Sequence, residues 1–534
     1  MATKKKLLQA AAGAGGDVGA WDLSYAYYDP STTAFQINYY NTNDNGGYVG
    51  TQEGNPRGIY IREDGLKVYV VGLTNDTVYQ YSMTSAYDFG TFAYENKSFS
   101  VQTEEGSAID VYFKPDGTKM YIIGYSGDEI NEYNLSTAWD VSTASASQVF
   151  SISSQSTTPR GFYFKPDGTK FYTTGSTGDD VDEYNMSTAW DISTASYVQN
   201  FSVATQDNSP FAVHFSKDGT KMFVLGGAGS DILVYALSTA WDISTASYEE
   251  NKVISGTVPS PTTIFFDPDG GRLFAAGFNE DKIAHFVVGG LDISSEEIAA
   301  GGIDFKPDGT KMYIVGRSGD DVSEYNLSTA WDLSTASYSQ NFSILADESA
   351  VEGVRFKPDG TKMFIIGYSG DEVNQYDLST AWDISTASES GNKSVAALET
   401  SPRGLYFKDD GTKMYITGNA SDKVHQWALS TAWDVTTASV DTNFSVSTQD
   451  GAPYDVFFNE DGTKMFVLGN GNDNILEYDL STAWNVSTST YSQSLYVRAE
   501  EQSPYGFYFK PDGTGMFLIG GTGKRVIPYT LGPQ

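Results

Sequence analysis

The chain of 534 residues has no cysteine, only three histidines, and about half as many Lys+Arg (33) as Asp+Glu (68). Without thiols there are no disulfides and no metal sites built on thiolates. His214, His285 and His425 sit in different segments at unrelated offsets, so neither a metal-ligand spacing nor a nucleophilic triad emerges. No apolar run approaches the roughly 20 residues of a spanning helix, which excludes a helical membrane span. No Gly-rich phosphate loop occurs, because the glycines punctuate turns instead. A formal charge of −35 repels phosphate backbones and anionic lipids, which sets the chain against nucleic acid and membrane-surface partners. Aromatics at 14% nevertheless exceed what a disordered acidic chain carries.

What is present is self-similarity. The phrase FKPDGTKMY recurs with variations, and its turn glycines are Gly65, Gly117, Gly168, Gly219, Gly270, Gly309, Gly360, Gly411, Gly462 and Gly513. Their spacings are 52, 51, 51, 51, 39, 51, 51, 51 and 51, so ten units fill the chain with one short step. Four residues before the glycine stands Phe in nine units and Ile61 in the first. Four residues after it, and again sixteen after it, all ten units carry an aromatic. Seven residues after it all ten carry glycine, from Gly72 to Gly520.

One unit reads as four short strands. In PRGFYFKPDGTKFYTTG (159–175), Phe162 and Phe164 alternate with Tyr163 and Lys165. Pro166-Asp167-Gly168 makes a type I turn with Gly in the left-handed position, closing a hairpin. Strand three is VDEYNM (181–186) and strand four YVQNFSV (197–203). Between them Thr188 and Asp191 have capping-box spacing, which predicts one helical turn around Trp190. Each aromatic anchor buries about 150–250 Å², worth roughly 4–6 kcal/mol gross. A lone four-stranded sheet cannot bury both its faces, so units must stack on their neighbours. The fold expected is all-β: ten four-stranded antiparallel β-propeller blades.

Units five apart resemble each other more than adjacent ones do, with a superperiod of 243 residues. The short step falls at GGLDISSEEIAAGG (289–302). Two arrangements fit: two five-bladed rings, or one ten-bladed ring. The two-ring expectation divides the chain into an N-terminal arm (1–33), a first propeller (34–290) and a second (291–534). The strand-like AFQINYY (34–40) then closes the first ring and 291–300 the second. The arm, MATKKKLLQAAAGAGG, holds the one cluster of positive charge and reads as a flexible or docking segment rather than a secretion signal.

The unit resembles the YVTN/lactonase-like propeller repeats of surface-layer and extracellular proteins over about 50–534, a resemblance specific for the fold and not for function. The phrase LSTAWDISTAS, with the KKKLLQAAAGAGG start, is similar to virion structural proteins of marine tailed phages, cyanophages especially. That resemblance implies a non-enzymatic, tail-associated virion protein. Its implied partners are other virion subunits and a host surface glycan or protein, in an oligomeric assembly. A secreted or cell-surface bacterial adhesin and a propeller glycoside hydrolase are the alternatives.

Three sets of residues are candidates for function. Loop aspartates eleven residues after the turn glycine (Asp76, Asp128, Asp179, Asp281, Asp320, Asp371, Asp422, Asp473) suit calcium or an Asx turn. Their repetition in eight units favours architecture, so no metal and no cofactor is expected. The repeated tryptophans (Trp139, Trp190, Trp241, Trp331, Trp382, Trp433, Trp484) are read as packing before stacking platforms. The informative positions are those that vary inside a constant unit. Eight residues before the glycine lie Arg57, Ile109, Arg160, Phe211, Thr262, Gly301, Glu352, Arg403, Tyr454 and Tyr505, with Asp110 and Asp455 one residue further on. In a propeller this row faces the channel mouth, where function sits on a rigid scaffold. The ligand-binding candidates are therefore Arg57, Asp110, Arg160, Glu352, Arg403, Tyr454, Asp455 and Tyr505. For glycoside hydrolysis, which needs two carboxylates, Asp110, Asp304, Glu352 and Asp455 are the only candidates.

Overall fold

A computed structural model describes residues 47–531 except 85, 88, 268–269, 278–282, 298, 318 and 499, together with the backbone of Ala26–Tyr28 and Ile37–Tyr39. Ten antiparallel sheets follow one another along the chain, eight of them built from four consecutive strands. Two compact units divide them: Ile37–Val288 holds five, and Gly289–Gln534 with Ala26–Tyr28 holds five.

Each hairpin forms as its residues dictate. Gly168 has φ +73°, its N–H donates to Lys165 O at 2.8 Å, and Lys165 N–H donates to Lys170 O at 3.0 Å. Asp167 accepts from Thr169 N–H at 2.9 Å and from the Thr169 hydroxyl at 2.6 Å, fixing the turn from inside. Both faces of the first strand Pro159–Phe164 are buried except at Arg160. The outer strand Ala195–Ser202 has only exposed and half-buried residues.

The link between strands three and four departs from expectation. The helical turn is a 3-10 turn at Ile192–Thr194, after Trp190 and not around it, and strand four begins at Ala195. Asp191 caps that turn, accepting from Ser193 N–H at 3.1 Å and the Ser193 hydroxyl at 2.6 Å. An aspartate two residues before a free N–H prefers the cap to a reciprocal box. Trp190 itself is left-handed, φ +61°, and its N–H donates to Gly168 O.

That geometry joins the blades. The indole lies flat on its own turn glycine: a Cβ on Gly168 would sit 2.3 Å from Trp190 Nε1. Its carbonyl accepts the hydroxyl of the strand-two tyrosine of the preceding blade. The pairs are Tyr69–Trp139, Tyr121–Trp190, Tyr172–Trp241, Tyr313–Trp382 and Tyr415–Trp484, at 2.7 to 2.9 Å. In the first unit the fifth blade meets the first through Phe274 stacked on Tyr87 (5.8 Å) and Thr262 Oγ1 donating to Pro56 O (3.3 Å). In the second, Phe517 of its last blade stacks on Trp331 of its first at 6.1 Å.

The fifth and tenth sheets complete themselves from elsewhere in the chain. Ile37–Tyr39 pairs with Ile283–Val288 of the fifth. In the tenth, Leu291–Asp292 pairs only with Val526 and Arg525, and Ala26–Tyr28 pairs with Tyr529–Leu531. The stretch expected to act as an arm thus supplies an edge strand, and the stretch 291–300 covers one end only. The consecutive left-handed glycines Gly289 and Gly290 (both φ +84°) turn the chain just before this pairing. The remainder of 1–33 lies outside the described residues.

Gly168→Ala places a Cβ into the indole and forces an L-residue into a left-handed conformation. We expect a loss of at least about 1–2 kcal/mol, read as a lowered urea midpoint. Gly256→Ala, where a Cβ meets nothing within 4 Å, is the matched control; equal midpoints for the two variants would contradict the indole–glycine contact.

Candidate functional site

The fifth residue of each first strand points to the middle of its unit. In the first unit these are Tyr60, Tyr112, Tyr163, His214 and Phe265. Each ring contacts the next at centroid distances of 5.2, 5.7, 4.5 and 5.6 Å, and Phe265 returns to Tyr60 at 5.5 Å. His214 accepts from Phe266 N–H at 3.4 Å through Nε2, which leaves Nδ1 to donate to Phe215 O at 3.1 Å. Burial pushes its pKa down to about 3, so the ring is neutral. Asp110 lies beside this plug, accepting from Val111 N–H (2.9 Å) and Phe162 N–H (3.3 Å). Burial pushes its carboxyl up to about 8 against those two bonds, so it keeps its proton at neutral pH.

Above Asp110 the predicted rim positions converge. Arg57, Ile109, Arg160, Phe211 and Thr262, joined by Tyr125, line a small pocket with an open mouth. The Arg160 guanidinium lies between the rings of Tyr125 (4.8 Å) and Phe211 (5.0 Å) and donates to the Tyr125 hydroxyl.

The second unit fills the same places differently. Its central residues are Asp304, Arg355, Tyr406, Phe457 and Tyr508. Arg355, 5% exposed, grips Asp455 with two bonds (2.9 and 3.1 Å) and donates to Ile303 O (2.7 Å) and Val354 O (3.0 Å). Asp455 also accepts from Val456 and Phe507 N–H, and Asp304 from Phe305 and Phe356 N–H. Burial pushes Asp304 up to about 7, with Arg355 pulling the other way. At the rim Arg317 and Arg403 both bond Glu352 Oε1, Arg317 Nε at 2.6 Å. Burial raises the Glu352 carboxyl while the two guanidiniums oppose it. Tyr454 and Tyr505 stack at 4.8 Å, and Arg403 lies 4.5 Å from the Tyr368 ring and 5.0 Å from Tyr454.

The eight ligand-binding candidates therefore fall into two rim groups, Arg57 with Arg160 and Glu352 with Arg403, Tyr454 and Tyr505. Asp110 and Asp455 lie beneath them. Sequence reasoning missed Arg355, Arg317, Tyr125 and Tyr368. It also missed a row of buried acids twelve residues before the turn glycine: Glu53, Glu105, Asp207, Glu297, Glu348, Glu399, Asp450 and Glu501. Glu399, for example, accepts from Ser401, Ala420 and Ser421 N–H. These acids also account for the constant glycine that ends strand two, since a Cβ on Gly124 would meet Glu105 Cδ at 2.3 Å. The same unit-against-unit comparison carries their signal.

The loop aspartates have a backbone explanation. Seven of the eight have φ between 46° and 52°, as do Ser230 and Lys524 at the same place; Asp281 lies outside the described residues. Aspartate tolerates that conformation better than most residues. Among the described residues no group of three or more acids or histidines is placed to hold a metal ion. Also among the described residues, no helix is long and apolar enough to cross a membrane.

A family model described as "Lactonase, 7-bladed beta-propeller" matches residues 92–302. With the ten sheets, this makes the chain a β-propeller repeat protein. No curated protein matches it. A solved structure of a Lactobacillus plantarum protein is 13% identical and covers 70% of this chain and 93% of its own, with a TM-score of 0.29. A Bacteroides uniformis ATCC 8492 protein, named provisionally as a 6-phosphogluconolactonase, is 14% identical over 71% and 97%, TM-score 0.28. One from Bacteroides fragilis NCTC 9343, named in the same provisional way, is 12% identical over 71% and 94%, TM-score 0.28. At these TM-scores the likeness carries no argument.

Two outcomes follow from the buried charges. The raised Asp110 carboxyl contributes stability that is complete below the unfolded value near 4 and is lost as pH rises through about 8. Asp110→Asn should therefore gain on the wild type in thermal midpoint between pH 5 and pH 9; a constant difference would refute the shift. Arg355→Met strands Asp304 and Asp455 without their cation and should cost about 3–5 kcal/mol. The cost should be larger at pH 8 than at pH 5, where carboxyl protonation relieves it. Denaturant unfolding at the two pH values checks this.

Proposed function

We propose that the chain is a non-enzymatic structural protein of a tailed-phage virion, tail-associated. Its blades scaffold contacts with other virion subunits, and its rims are available to a host-surface glycan or protein. We further infer that each unit is a five-bladed ring. The aromatic circuit Tyr60–Tyr112–Tyr163–His214–Phe265 supports this, as does the stacking of Phe517 on Trp331.

The observation that carries the non-enzymatic reading is the state of the four candidate carboxylates. Asp110 is held by two backbone N–H groups, Asp455 and Asp304 face Arg355, and Glu352 lies under Arg317 and Arg403. A glycoside hydrolase needs two carboxyls open to one bond, and each of these is at least nine-tenths buried with its partners inside the fold. The virion assignment itself rests on the LSTAWDISTAS repeats and the lysine-rich start. A hydrolase remains the second reading because of the family match over 92–302.

Mass spectrometry of purified particles from the source, with immunogold labelling, tests the proposal. Stoichiometric presence at the tail is expected. Absence from particles with recovery from a cell surface would favour the adhesin, and turnover of a lactone or glycoside by the purified chain would favour the hydrolase.

A further inference from the structure

Four positions of the rim cavity in the first unit recur 243 residues later in the second: Arg160 as Arg403, Tyr125 as Tyr368, Phe211 as Tyr454, and Ile109 as Glu352. The first three pairs have the same geometry. Arg160 lies 4.8 and 5.0 Å from its two rings, and Arg403 lies 4.5 and 5.0 Å from the equivalent two. The flanked guanidinium is thus built twice. The carboxylate it holds is present once: Arg403 bonds Glu352, whereas Ile109 stands at that position in the first unit.

The residues around the gap fit an anion. No acid lines this pocket. Among the described residues Arg160 forms no ion pair, its side chain bonds only the Tyr125 hydroxyl, and its Nε is buried with no hydrogen-bond partner. Arg57 is close enough for the two positive charges to repel, and burial together with that repulsion lowers its pKa. Glu53, the acid acting on Arg57, accepts from Asn55 N–H and Thr74 N–H. On a chain of net charge −35, a guanidinium in a pocket lined by no carboxylate, as Arg160 is, is an exception. Guanidinium and carboxylate match in planar shape, and charge-assisted bonds between them are the strong kind.

We propose that the rim cavity of the first unit binds the carboxylate group of a small external acid, seated against Arg160 as Glu352 is seated against Arg403. The enclosed space is about 10 Å³, room for one water-sized group, so only the carboxylate enters and the rest of the acid stays at the open mouth. The proposal rests on reading this rim as a ligand site and is independent of the virion assignment.

Isothermal titration of the full-length chain at low salt tests it, with glucuronate, acetate, glucose and inorganic phosphate as probes. Glucuronate should bind at one site per chain and glucose should not. Acetate binding as tightly as glucuronate would place all recognition on the carboxylate, and weaker acetate binding would add contacts to the sugar; both support the site. Arg160→Gln should weaken glucuronate binding by about tenfold or more. Ile109→Glu, which supplies the carboxylate from within, should abolish binding while the thermal midpoint holds or rises. That second variant decides the matter if Arg160→Gln does not fold. Glucuronate binding untouched by Ile109→Glu, phosphate bound more tightly than either carboxylate, glucose bound as tightly as glucuronate, or no binding by any probe would overturn the proposal. Absence of the protein from particles would leave these titrations unchanged, so the two readings fail separately.

Discussion

A left-handed tryptophan on a turn glycine is the joint on which this architecture depends. The indole can lie on Gly168 because that residue has no Cβ, and the glycine is there because the hairpin needs a positive φ. Holding the tryptophan in this conformation turns its carbonyl toward the preceding blade, where a tyrosine hydroxyl from strand two meets it. One local turn therefore sets the spacing between sheets. Side chains from strand three reinforce the joint: Gln80, Gln375 and Gln426 each accept the N–H of the residue two past the next blade's tryptophan. Where strand two carries phenylalanine instead, the bond is lost and the stacking stays, as at Phe364 on Trp433 and Phe517 on Trp331, just as Tyr69 stacks on Trp139.

A body fixed this way leaves variation to the strand ends and the middle of each unit. The two units use that freedom in opposite ways. The first closes its centre with aromatic rings and two titratable groups kept neutral, His214 and Asp110. The second keeps charge at its centre and balances it, with Arg355 between Asp304 and Asp455. The large acidic excess is not all surface charge. Eight acids are buried in the loops before strand one, where backbone N–H groups stand in for water.

Much of the fold was legible because a period of 51 residues lets each unit be checked against nine others. The hairpin, its glycine, the aromatic rows and the four strands all follow from local chemistry repeated in register. The helical turn was misplaced by two residues because the spacing of Thr188 and Asp191 satisfies a capping box, while Asp191 and Ser193 satisfy a tighter cap. The buried acids were overlooked because a loop glutamate looks like any exposed one until the N–H groups of a second loop, about 21 residues on, are seen around it.

The amino-acid order alone carries the blades, their number, and the positions at which one blade differs from the next, since each depends on contacts within about 50 residues. It does not carry which differing positions meet. Arg355 reaches Asp455 across 100 residues, and Arg160 lies between Tyr125 and Phe211 from neighbouring blades. Such pairs arise only when sheets stack, because stacking sets the distances between side chains that belong to no common repeat.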